Sequence, residues 1–77
     1  MDKLLSIKEV AEILGCSTTT ITRQIEDGTM TPPIRIGHRV TFPRSEVEAL
    51  LAARIKGAIA NDIQELVIDL IIKRKEA

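Results

Sequence analysis

The sequence predicts a mainly α-helical protein that carries one small β-hairpin. Only one of the 77 residues is aromatic although 44% are hydrophobic, so the core must be built from aliphatic side chains carried on helices. Apolar residues recur at helical spacing in four segments, which glycines or prolines separate. Between the second and third segments, apolar and polar residues alternate on both sides of a glycine, which is typical of a hairpin.

The first helix is predicted over residues 7–14. Ser6 precedes it and Glu9 follows three positions later, a spacing at which each side chain can cap the other residue's amide. Apolar residues then recur on one face of the helix: Ile7, Val10, Ala11 and Leu14. Gly15 can adopt the left-handed conformation that ends a helix.

The second helix is predicted over residues 18–27. It follows Ser17, another N-cap residue, and stops before Gly28, while Ile21 and Ile25 form its apolar side. Only residues 15–17 separate the two helices. Helices joined by so short a glycine-containing turn cross at a steep angle, as in a helix-turn-helix.

A hairpin and a third helix follow. Pro32 and Pro33 exclude helix, and strands are predicted over residues 34–36 and 40–42, joined by the three residues 37–39. Pro43 stops the second strand, and a second capping box in residues 45–48 predicts a helix over residues 46–56. Its core-facing side chains are expected to be Val47, Leu50, Leu51 and Ile55.

A fourth helix is predicted over residues 62–74, with Asn61 and Gln64 as its capping pair. We predict that its apolar stripe supports homodimerisation; the stripe consists of Ile63, Leu66, Val67, Leu70 and Ile71. Ile68 and Ile72 fall off that stripe, so the helix is apolar nearly all round. Packing of the stripe on the chain's own domain is the alternative.

These elements predict a winged helix-turn-helix DNA-binding domain in residues 1–57 and a C-terminal amphipathic helix in residues 58–77. The single Cys16 cannot form an internal disulfide, and the sequence shows neither a signal peptide nor an apolar run of membrane-spanning length. We therefore expect a soluble, cytoplasmic protein with no membrane partner.

Charge does not by itself predict a nucleic-acid ligand. Eleven basic and eleven acidic residues cancel, which argues against a protein that binds polyanions through its overall charge. The distribution is more informative, because four arginines oppose two acidic residues between Cys16 and Arg44.

The second helix presents a polar face opposite its isoleucines. A rotation of about 100° per residue places Thr19, Arg23 and Glu26 on that face, with Thr20 and Asp27 beside it. A recognition helix brings its N-terminal residues near base edges in the major groove, where Thr contacts either base type and Arg prefers guanine. The acidic residues at the far end would point away from the DNA.

Four segments of the chain resemble the AlpA family of prophage regulators: LSIKEVA at residues 5–11, GCSTTTITR at 15–23, PIRIG at 33–37 and SEVEA at 45–49. The resemblance implies a MerR-like winged helix-turn-helix, related to phage excisionases, that binds DNA to control transcription or integrase-mediated excision. It places Ser17, Thr19, Thr20 and Arg23 on the recognition helix, and Arg35 and Arg39 in the wing. Family members often carry a basic residue at the position of Thr18, an aromatic at that of Thr22 and a tryptophan at that of Leu50.

The predicted interface with double-stranded DNA consists of Ser17, Thr18, Thr19, Thr20, Thr22, Arg23, Arg35, His38 and Arg39. Alternatives remain for the arginines. Arg23 could pair with Asp27 four positions on, and Arg35 and Arg39 could be edge-strand charges that discourage aggregation. An integrase or another phage protein is a further expected partner.

Catalysis is not expected. The sequence contains no phosphate-binding glycine loop, no Ser/His/Asp set and no plausible pair of catalytic carboxylates. His38 has no second ligand at metal-binding spacing, and Cys16 has no neighbouring histidine to activate it. We predict no cofactor, no metal and no small-molecule substrate. The alternative to DNA binding is a protein-interaction adaptor that uses the wing and the last helix.

Overall fold

The structure is a computed structural model and describes residues 2–76. The elements follow one another as β1 (Leu4–Ser6), α1 (Ile7–Leu14), α2 (Thr18–Asp27), β2 (Ile34–Ile36), β3 (Arg39–Pro43), α3 (Arg44–Ile55) and α4 (Ala60–Glu76). Four helices thus surround a small antiparallel sheet of three strands. The predicted fold class, a winged helix-turn-helix followed by a C-terminal helix, is confirmed.

The sheet contains a strand that the sequence pattern did not predict. The strand order is β1-β3-β2, and Leu5 of β1 lies opposite Phe42 of β3. Two adjacent leucines begin β1, so it shows no alternation of apolar and polar residues, and Ser6 both ends β1 and caps α1. Pairing with β1 makes β3 the central strand, so the wing is anchored to the start of the chain.

The hairpin turn is shorter than predicted. Arg39 pairs with Ile36, so only Gly37 and His38 connect the strands, and the expected three-residue link is wrong. Gly37 has a φ of 60°, and only glycines have a positive φ in the described part of the chain. Glycine at the first position of a two-residue turn matches the type II′ hairpin, whose twist suits the flanking strands.

Helix α3 is capped from the other end of the chain. The predicted Ser45–Glu48 capping box is wrong, because the Ser45 amide donates to Asp2 Oδ1 at 3.1 Å and its hydroxyl donates to Asp2 Oδ2. Glu48 instead pairs with Arg44, Nε to Oε1, at 2.7 Å. Ile55 was expected in the core but is 77% exposed, since it lies in the last turn of the helix.

Helix α4 begins earlier than predicted, and Asn61 does not cap it. The backbone amide of Ile59 donates to Asp62 Oδ2 at 3.3 Å, which is the returning bond of a capping box. The side chain of Gln64 turns away from the helix terminus to the Asp27 carbonyl. The helix is therefore stabilised at its start by an acidic residue in its first turn, where the helix dipole favours negative charge.

One continuous core joins the sheet to all four helices. Its fully buried side chains include Phe42, Ile21, Met30, Leu50 and Ile63. Val67 and Leu70 of α4 belong to the same cluster, and Leu66 and Ile71 pack partly against it. The boundary predicted at residue 57 thus separates two segments that share a core.

A buried ion pair fastens α4 to α3. Arg74 Nε donates to Glu46 Oε2 at 2.6 Å, and Nη2 donates to Oε1. The side chains are only 23% and 6% exposed, respectively. Arg74 continues the stripe of Ile63, Val67 and Leu70 at helical spacing, and Glu46 lies one turn before Leu50. The pair therefore occupies positions that hydrophobic residues hold elsewhere on both helices.

No helix within residues 2–76 combines the length and the apolar character needed to cross a membrane.

Candidate nucleic-acid interface

The turn between α1 and α2 is built by two local signals. Gly15 has a φ of 70°, and the amides of Gly15 and Cys16 donate to the carbonyls of Glu12 and Ala11 at 3.3 and 2.9 Å. These bonds satisfy the last carbonyls of α1. Ser17 Oγ then accepts from the Thr20 amide at 3.1 Å and opens α2. Both helices have the predicted bounds, so the helix-turn-helix follows from capping chemistry.

Helix α2 presents a polar face to solvent. Ile21 is fully buried and Ile25 is half-buried, which turns the opposite side outward. The exposed side chains are Thr18, Thr19, Thr22, Arg23, Glu26 and Asp27. The hydroxyls and the arginine thus precede the two acidic residues along the helix, as expected.

The hydroxyl groups of α2 are not equally available. Ser17 and Thr20 bond to each other, and the Thr22 hydroxyl donates to the Thr18 carbonyl at 3.2 Å. The hydroxyls of Thr18 and Thr19 have no hydrogen bond to any other described residue. Because a hydroxyl both donates and accepts, these two can contact a ligand without first losing an intramolecular bond.

Arg23 is exposed and forms no ion pair in the part of the chain that the structure describes. The alternative in which Asp27 holds it does not occur. Its guanidinium can therefore approach a phosphate or the edge of a guanine without breaking a salt bridge. An unpaired arginine beside two available hydroxyls is the most distinctive feature of this surface.

The wing carries its cations on two faces. Arg35 lies opposite Val40, and Arg39 lies opposite Ile36. The side chains of neighbouring cross-strand pairs point to opposite faces of an antiparallel ribbon, so the two arginines cannot contact the same phosphate. His38 occupies the exposed turn between them. The wing thus offers three separate polar contacts.

Arg39 also lies close enough to α1 to affect Glu9. The Ser6 amide donates to Glu9 Oε1 at 3.0 Å and, with the Ser6 hydroxyl, holds the pKa of Glu9 below its ordinary value. The positive charges of Lys3 and Arg39 lower it further.

The structure brings the predicted α2 residues together on one surface and buries three of the five predicted dimer residues in the core. Ile63, Val67 and Leu70 are at most 9% exposed within this chain. The large apolar side chains that remain exposed near them on α4 are Ile68 and Ile72. Dimerisation through the predicted stripe stays a prediction. Within this chain, the buried residues of the stripe pack in the chain's own hydrophobic core.

Residues 4–55, about two thirds of the chain, match the model of a family described as a helix-turn-helix domain. The chain belongs to this family. The match runs from the first residue of β1 to the last residue of α3, so the helix-turn-helix domain includes the whole sheet and leaves α4 outside. Helix-turn-helix domains present their second helix to DNA, and the assignment supports DNA as the ligand of α2. Comparisons with curated proteins and with solved structures returned no match.

Residues 2–76 contain no group of three or more His, Cys, Asp or Glu side chains positioned to hold a metal ion.

Proposed function

We propose that this helix-turn-helix protein binds double-stranded DNA with sequence specificity and acts as a transcriptional regulator of the AlpA type. Helix α2 enters the major groove with its N-terminal half, and the wing contacts the adjacent backbone. Regulation of a phage or mobile element is the role that the family resemblance implies.

The observation that carries the proposal is the exposed face of α2. Arg23 has no ion-pair partner in the described residues, and the hydroxyls of Thr18 and Thr19 have no hydrogen bond there. A bidentate arginine on guanine discriminates against the wrong base by about 1–3 kcal/mol. Such a contact supplies specificity even where the net charge is zero.

The wing supports this arrangement from outside the groove. Arg35, His38 and Arg39 are exposed on the hairpin, and contacts from such side chains to phosphate fix the register of a protein on DNA. Since the arginines lie on opposite faces, we expect one of them to reach the backbone next to α2.

A salt titration tests the proposal. Duplexes enriched from random-sequence DNA by the full chain are titrated in a gel-shift assay at rising salt. Neutralisation of each phosphate contributes a slope of about −0.9 to log K against log salt. We expect a slope that corresponds to a few phosphates. Failure to enrich any duplex, or binding that does not respond to salt, would reject the proposal.

Two other roles make different predictions. An excisionase-like recombination factor would stimulate integrase-mediated excision on a plasmid substrate and would bind the integrase. A protein-interaction adaptor would retain its partner when Arg23 is replaced by alanine, because Arg23 lies on α2 and not on the wing or α4. Weaker binding on that replacement favours the DNA-binding proposal.

We also propose that a second copy of the chain assembles on the outer face of α4. Ile68 and Ile72 lie one turn apart and are 57% and 49% exposed. Two copies on a palindromic site would combine two weak half-site contacts, which suits a protein without net charge. Ile68→Glu with Ile72→Glu should reduce the mass measured by sedimentation. A wild type that sediments as a monomer at all concentrations contradicts this.

A further inference from the structure

Helix α4 bonds to both ends of the segment that joins the recognition helix to the wing. This connecting segment, residues 28–33, follows α2 and precedes β2. At its start, Gln64 Nε2 donates to the Asp27 carbonyl at 2.9 Å. At its end, Arg74 Nη2 donates to the Pro32 carbonyl at 2.9 Å. The two α4 residues are ten positions apart, or about 15 Å along a helix.

The middle of the connecting segment is buried in the core to which α4 contributes. Met30 is 1% exposed and Thr31 is fully buried. Met30 belongs to one hydrophobic cluster with Val67 and Leu70 of α4. The segment is therefore held at its two ends by hydrogen bonds and in between by packing.

The hydrogen bonds that the segment's own backbone donates lie at its start, where the Thr29 amide donates to the Gln24 carbonyl of α2 at 2.9 Å. The segment's two prolines lack amide hydrogens and cannot donate to a neighbouring strand. Gly28 has a φ of 78°, and a β-carbon on it would contact Gln64 Cγ at 3.9 Å. The stem of Gln64 thus covers the glycine at which the chain leaves α2.

We propose that α4 is a brace that fixes the recognition helix and the wing in one relative orientation, with Gln64 and Arg74 as positioning residues. The inference rests on the proposed function, DNA binding by α2 and the wing. Two elements that contact one duplex bind it more tightly when their relative orientation is set in advance. The family match ends at residue 55, so the brace is an addition to the matched domain.

The experiment measures DNA affinity in folded variants of the full chain. Gln64→Leu removes one bond. Arg74→Lys keeps a cation for Glu46, but the lysine side chain ends one bond short of Nη2, the atom that donates to Pro32. The probes are a duplex enriched by the wild type and a random-sequence duplex of equal length. Each variant should bind the enriched duplex about fivefold more weakly, and the random duplex should be affected less.

Asn61→Leu is the matched control. It also replaces an amide on α4, but Asn61 is exposed and forms no hydrogen bond to the rest of the described chain. Its affinity should equal that of the wild type. Circular dichroism at the assay temperature establishes that each variant is folded, so a loss of affinity cannot reflect unfolding.

A second measurement needs no DNA. Residual dipolar couplings of α2 and of the β2–β3 hairpin should fit one alignment in the wild type. In the variant that combines Gln64→Leu with Arg74→Lys, the hairpin should require a separate, weaker alignment. The brace proposal is overturned if the couplings of α2 and the hairpin still fit one alignment in that variant. It is also overturned if both folded single variants bind the enriched duplex with unchanged affinity. If the wild type enriches no duplex, the proposed function fails, and the couplings alone decide the brace.

Discussion

Replacement of Arg74 by methionine should destabilise the protein far more than replacement of any exposed cation. The change leaves the Glu46 carboxylate buried, with only 6% of its side chain exposed, and without the guanidinium that neutralises it. Removing one partner of a buried ion pair costs about 3–5 kcal/mol. Because Arg74 itself is 23% exposed, we expect the lower end, about 3 kcal/mol.

The destabilisation expected for Arg74→Met is a large part of the protein's free energy of unfolding. A chain of 77 residues has a free energy of unfolding of about 4–12 kcal/mol at typical values per residue. The measurement is urea denaturation followed by far-UV circular dichroism, since the chain contains neither Trp nor Tyr. Arg44→Met is the matched control. It breaks the exposed pair with Glu48, whose side chains are 56% and 60% exposed, and should cost less than about 1 kcal/mol.

A double variant distinguishes the cost of burying an unpaired carboxylate from the loss of the attraction between Arg74 and Glu46. Glu46→Leu combined with Arg74→Met replaces both charges by apolar groups of similar size, a change that is often neutral or stabilising. We expect the double variant to be more stable than Arg74→Met alone. If Arg74→Met costs no more than Arg44→Met, or if the double variant is no better than the single one, the reasoning is refuted.

Three further predictions concern the interface and the local structure. Arg23→Ala should weaken binding to an enriched duplex by about 1–3 kcal/mol and relax preference at one base pair, whereas Arg54→Ala, an exposed cation outside α2, should not; unaltered preference would assign Arg23 to the phosphate backbone. Asp2→Asn should lower stability at neutral pH by about 1 kcal/mol, the usual contribution of a helix cap. Hydrogen bonds from the Ser45 hydroxyl and amide hold the pKa of Asp2 below its ordinary value. The stability difference between the wild type and Asp2→Asn should therefore persist above about pH 4 and vanish as the pH falls through the lowered pKa. A stability difference that does not depend on pH would contradict the cap. Gly37→Ala should cost about 1–2 kcal/mol in thermal or urea unfolding because of the positive φ, and Gly37→Asn should cost less; equal costs would argue against backbone strain at the turn.

The helix-turn-helix could be predicted closely because its determinants are local. The Ser6–Glu9 box, Gly15 and Ser17 act within three or four residues of the backbone groups that they cap. Ile21 then decides which face of α2 is buried. From these residues the exposed threonines and Arg23 could be named before the structure was known.

The errors have a common cause. Ser45 has the right spacing from Glu48 for a capping box, but Asp2, 43 residues away, supplies the bond instead. Ile55 has the right spacing for the core, but it is the last residue of α3 and its side chain is left exposed. In each case a local pattern is consistent with two outcomes, and a distant residue or the length of an element selects one of them.

The sequence by itself determined where the first two helices begin and end, which face of α2 is polar, and that a hairpin turns at Gly37. Those features depend on backbone preferences and capping bonds over a few residues. Only the tertiary structure decided that β1 joins the sheet, that α4 buries its stripe in the same core, and that Glu46 meets Arg74 across 28 residues. Contacts between distant segments depend on how whole elements pack, and neither helical spacing nor strand alternation carries that information.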